Sequence, residues 1–97
     1  MHIGRWEVWS IVEARFGLDG GAMFGVIPRP MWAREQPPDR ANRIELVCRC
    51  MLLDDGQRLV LVDTGIGDKW SALERDRFAI RRSDGIPGAL GRLGRTP

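Results

Sequence analysis

Polar and apolar residues alternate most cleanly between Ile44 and Leu53. Ile44, Leu46, Cys48, Cys50 and Leu52 fall on one face, with Glu45, Val47, Arg49, Met51 and Leu53 on the other, the period-two signature of a strand. Asp54-Asp55-Gly56-Gln57 follows as a hairpin turn, with Gly56 free to take the left-handed conformation. Leu59 to Val62 is an unbroken apolar run, expected to be a return strand buried on both faces. The pattern therefore predicts strands over about 43–53 and 58–63.

Elsewhere the pattern is less regular. Ile3, Trp6, Val8, Ile11, Val12 and Phe16 are interleaved with charged residues, predicting a long strand or a strand pair over about 2–16. Asp19-Gly20-Gly21 is a turn signal, and 22–27 reads as a short extended piece ended by Pro28-Arg29-Pro30. Four prolines mark residues 28–42 as a polar loop, with Trp32 anchored in it. Asp68 can cap a helix over about 69–80, with Trp70, Leu73 and Ile80 near one stripe. A second helix is predicted over about 86–93: Pro87 sits in its first turn, Ile86, Leu90 and Leu93 share a face, and Gly94 stops it. Thr96-Pro97 reads as the opening of a further helix, so the chain is expected to be a truncated part of something longer.

These elements imply an α+β chain with a mostly antiparallel sheet. At 97 residues it is a single small unit with a marginal core of its own. With 43% hydrophobic and 29% charged residues the composition is that of a folded domain, not a disordered tract. The net charge of +2 is too small to point to nucleic acid, but it is unevenly spread: residues 1–68 carry −2 and residues 69–97 carry +4. That basic segment is either a phosphate-binding patch or the solvated face of two short helices. The arginines at 75–82 lack interleaved aromatics on a strand face, so no nucleic-acid partner is expected. No apolar run is long enough to cross a membrane, and the N-terminus, with Glu7 and Glu13, is not a signal peptide. Cys48 and Cys50 are too close for an ordinary disulfide within one strand, which favours a reducing, cytoplasmic setting.

Candidate chemistry concentrates at the end of the apolar run, in Asp63-Thr64-Gly65-Ile66-Gly67. A carboxylate directly after a buried strand stands where α/β proteins place active-site groups. The same carboxylate can instead tie down the N–H groups of its own turn, and the residues alone admit both. His2 is the single histidine, expected at the surface or on an edge strand. Ser10, Ser71 and Ser83 therefore have no credible histidine partner for nucleophilic catalysis. Gly65-x-Gly67 lacks the lysine and the remaining glycines of a phosphate loop. A catalytic zinc needs about three protein ligands and an open position, which the chain does not supply; burial in a core explains Cys48 and Cys50 equally well.

A hairpin followed by strand, Asp63-Thr64-Gly65 and Gly67 resembles the first motif of the metallo-β-lactamase superfamily. The stretch from Asp19-Gly20-Gly21 to Pro30-Met31-Trp32 resembles the loop before that hairpin in lactonase-like and organophosphate-hydrolase-like members. Asp68-Lys69-Trp70 and the helix from Ile86 to Gly94 are similar to the linker that leads to the family's metal motif, so the resemblance runs through nearly the whole chain. It departs at the end: the His-x-His-x-Asp-His signature, which would follow a segment such as Arg95-Thr96-Pro97, is absent, as are the later ligands.

The resemblance implies the first half of an αββα sandwich. It implies one or two zinc ions in the complete protein, acting on a small-molecule ester, lactone, lactam or phosphoester. Asp63, Thr64 and Gly65 would brace the metal site without being principal ligands, and Met23, Phe24 and Trp32 would line the substrate cleft. The chain by itself is expected to bind no metal, to be inactive and to self-associate through an uncovered sheet face. The alternative is a small stand-alone α+β module that binds a protein partner through that face.

Overall fold

The computed structural model describes residues 1–95. Thr96 and Pro97, where the sequence suggests the start of a further helix, lie outside the described residues. A four-stranded antiparallel sheet in the order β1-β2-β3-β4 carries the chain: β1 is His2–Ile3, β2 Trp6–Asp19, β3 Arg43–Asp54 and β4 Leu59–Val62. Among the described residues four short helices accompany it: α1 Gly20–Phe24, α2 Arg29–Glu35, α3 Ala72–Arg77 and α4 Gly85–Arg92.

The long β2–β3 pair is the frame. It is in register from Glu7↔Asp54 to Asp19↔Arg43, with one irregularity between Val12 and Ala14 that leaves Glu13 as the extra residue of a bulge. Directly opposed residues share a face, so Trp9, Leu52 and Leu61 lie together, as do Ile11 and Cys50. Onto this face α4 sets Ala89 and Leu90, closing a core of Ile11, Cys50, Leu52, Ala89 and Leu90 flanked by Trp9, Leu61, Ile86 and Leu93. Leu52 is 1% exposed, and its burial contributes about 1.5–3 kcal/mol. The α4 helix ends in a Schellman motif: Gly94 takes φ +69°, Arg95 N–H donates to the Leu90 carbonyl and Gly94 N–H to that of Gly91.

The β3–β4 turn is set by its aspartates. Asp54 Oδ1 accepts Gly56 N–H, Asp55 Oδ1 accepts those of Gln57 and Arg58, and Gly56 has φ +90°. The return strand is not buried on both faces, however. Leu59, Val60 and Val62 are 36%, 41% and 49% exposed, because β4 lies at the sheet edge and α4 packs only on the face that carries Leu61, opposite Val60 and Val62.

Residues 22–27 are not extended and 28–42 is not all loop. Asp19 caps α1, its Oδ2 accepting Ala22 N–H at 2.8 Å, and Gly25 (φ +60°) ends it. Pro28 and Pro30 do not break the chain but start α2, where a proline in the first turn loses no helical hydrogen bond. The two helices close on each other through Trp32, 4% exposed and stacked on Phe24 at 5.2 Å. Its ring lies so close over Gly20 that a Cβ there would collide with it.

The helix expected over 69–80 is shorter. Ser71, not Asp68, caps it, in a reciprocal capping box with Glu74, and Leu73 stays 65% exposed. It stops because Ala79 turns left-handed (φ +46°) and the chain swings back to the open edge of β2. There Arg15 and Arg81 exchange both backbone hydrogen bonds and Gly17 N–H donates to the Phe78 carbonyl.

Candidate functional site

The Asp63-Thr64-Gly65 turn leaves β4 opposite Met51, with Ser10 next across the sheet. Asp63 adopts φ +71°, unusual for a residue with a side chain. Its Oδ1 accepts the N–H groups of Thr64 at 2.6 Å and Gly65 at 3.0 Å. That local bonding holds Asp63, an exposed residue, in the left-handed region. Thr64 is exposed and borders an apolar cavity of about 400 Å³ between β4 and α4, whose walls include Leu52, Leu61, Ile86 and Leu90. On the other side Asp63 borders an open depression of about 490 Å³ with Val8, Ser10, Cys50 and Val62.

The turn is also held from beneath. Ile66 N–H donates to Glu13 Oε2 at 2.9 Å, and the Ile66 carbonyl accepts the Trp70 indole N–H at 3.1 Å. Glu13 Oε1 accepts Arg82 Nε at 2.5 Å, the Glu13 side chain being fully buried and that of Arg82 only 17% exposed. Gly65 (φ +79°) lies directly against the Glu13 carboxyl group, leaving no room for a Cβ. Glu13 and Arg82 were not among the residues the sequence singles out. One signal was available: Glu13 is a charge two residues from the core residue Ile11, at a position where strand alternation demands an inward side chain.

Met23, Phe24 and Trp32 form a separate group. Phe24 and Trp32 are stacked, Met23 is 48% exposed, and Trp32 is sealed under Gly20 with the Arg29 guanidinium 5.8 Å from its ring centre. The helix pair starts after Asp19, about 20 Å along β2 from the bulge at the spacing of a strand. In the described chain these aromatics thus stand apart from the Asp63 turn.

Cys48 and Cys50 are free thiols on the α4 face of β3. Burial raises both above the ordinary thiol value, Cys50 to about 11, with the negative charges of Asp63 and Glu13 adding to the effect. His2 is exposed on β1. Among the described residues no three His, Cys, Asp or Glu side chains come together so as to hold a metal ion. What they build is a carboxylate-bearing turn held by hydrogen bonds.

No family model matches the sequence, and no curated protein matches it. Among solved structures the chain is similar to a probable metal-dependent hydrolase from Staphylococcus aureus, at 30% identity and a TM-score of 0.88. The match covers 100% of this chain but 35% of that protein, so the chain spans about a third of its length. Among the described residues no helix is long and apolar enough to cross a membrane.

Proposed function

We propose that this chain is the N-terminal part of a zinc-dependent hydrolase of the metallo-β-lactamase type. The observation that supports the reading most is the end-to-end similarity to the staphylococcal metal-dependent hydrolase, in both backbone and sequence. A strand-end aspartate in a turn fixed by backbone and buried partners is what a metal site needs beside it. In this reading the ligands belong to the rest of a protein like the staphylococcal hydrolase, of which this chain spans 35%. Zinc, when bound, polarises a carbonyl or phosphoryl oxygen and activates water. The substrate class is an ester, lactone, lactam or phosphoester. Asp63, Thr64 and Gly65 brace the site; Met23, Phe24 and the buried Trp32 stand apart from that turn and would border the cleft only where the rest of the domain extends it toward α1 and α2. The two free thiols fit a reducing, cytoplasmic location.

The test is to express the whole reading frame that contains this chain and assay it on a panel of lactones, esters and phosphoesters. Hydrolysis abolished by a chelator and restored by zinc is expected. Asp63→Asn should weaken metal retention by about 10-fold or more, as loss of a supporting group does. A product that binds no metal and hydrolyses nothing on the panel contradicts the proposal.

A further inference from the structure

The Glu13–Arg82 pair joins three stretches far apart in the chain: the bulge of β2, the turn after β4 and the segment that enters α4. A buried carboxylate is tolerated only when donors satisfy it. Here each oxygen has one, Arg82 on Oε1 and Ile66 N–H on Oε2. The surroundings are shaped to the pair. At Gly65 a Cβ would fall onto the Glu13 carboxyl group, and at Gly85 (φ +61°) it would come within 2.5 Å of the Arg82 guanidinium. The bulge leaves Glu13 without a cross-strand partner at the point where its side chain meets the turn.

We infer that Glu13 is the positioning residue of the Asp63–Gly67 turn. It accepts the Ile66 N–H and presses against Gly65, and so fixes the direction in which the Asp63 carboxylate leaves the sheet. Arg82 balances the charge that this task puts in the interior, and couples the turn to the start of α4. Among the described residues the Asp63 side chain bonds only to the two that follow it, so its local ring could swing as a unit without the anchor at Ile66. The functional consequence rests on the reading of Asp63 as a brace for a metal site; the clamp itself does not.

Hydrogen–deuterium exchange on the metal-free 97-residue chain tests the clamp. Glu13→Ala should speed exchange over residues 64–67 by about ten-fold or more, while residues 46–52 of β3 keep their wild-type rates. The double variant Glu13→Gln/Arg82→Gln keeps an uncharged acceptor for Ile66 N–H and should restore most of the protection. Unchanged exchange at 64–67 in Glu13→Ala would overturn the inference. So would loss of protection in the double variant, or variants that loosen sheet and turn together, since Glu13 would then be a general core residue. Because no metal or substrate enters, these rates stand or fall separately from the hydrolase reading.

Discussion

Three side chains around the strand-end turn are committed to its backbone groups. Asp63 holds the N–H groups of Thr64 and Gly65, Glu13 holds that of Ile66, and Trp70 holds the Ile66 carbonyl. Gly65 is the residue on which this arrangement depends most, being left-handed and pressed on a buried carboxyl group. Gly65→Ala is therefore expected to cost about 2 kcal/mol or more, from backbone strain plus displacement of Glu13. Gly67→Ala, also left-handed but with open space around its Cβ, should cost less. Thermal unfolding of the two variants checks this, and equal losses would contradict it. The cysteines carry a second prediction. With its thiol pushed up to about 11, first by burial, Cys50 is almost wholly protonated near neutral pH. Iodoacetamide at pH 8 should modify it at least about ten-fold more slowly than a free thiol; labelling at the free rate would contradict the buried position. At this scale the sequence exposes Asp63, Thr64 and Gly65 because the turn is contiguous. It hides Arg82, whose partner Glu13 lies 69 positions away and across the sheet.

The elements differ in how far local pattern decides them. The β3–β4 hairpin is legible because alternation, turn aspartates and Gly56 agree with one another. The α1–α2 pair is not, because its prolines act as helix starters and its glycine serves the ring of Trp32, a contact that spacing does not reveal. Likewise α3 is cut short by the pull of β2's open edge on residues 78–81. The hairpin also has a pH signature. Asp55 is held below the ordinary value of 3.8 by the Arg58 N–H first and that of Gln57 next, Asp54 by the Gly56 N–H first and the Arg95 side chain next. As pH falls past 3.8 the unfolded chain takes up protons before the folded one. This contribution is therefore complete above that value and is lost as pH drops through the lower folded values. The melting temperature should change little from neutrality down to about pH 5 and fall below about pH 4. Asp55→Asn should flatten the acid limb, and an unaltered limb would contradict the assignment.

On the scale of the whole molecule, one side of the sheet and one of its edges stand open. Met51 and Val62 are opposed across β3 and β4 and are 44% and 49% exposed, with Val60 at 41% on the same face. Among the described residues no strand pairs with the outer edge of β4 beside these side chains, the arrangement that favours strand addition. The isolated chain is accordingly expected to self-associate at tens of micromolar. Val60→Lys/Val62→Lys should shift it toward monomer in sedimentation velocity, and a wild-type chain already monomeric there would contradict the expectation. The similar hydrolase is nearly three times as long, so in the proposed reading the remainder of that domain covers this surface. The missing ligands and the open sheet then have one explanation. It is tested most directly by reading the coding DNA past the codon for Pro97. The account predicts an open frame that reaches His-x-His-x-Asp-His within about 10–20 codons. A stop codon with no such motif downstream would contradict it and leave a small α+β binding module as the better description.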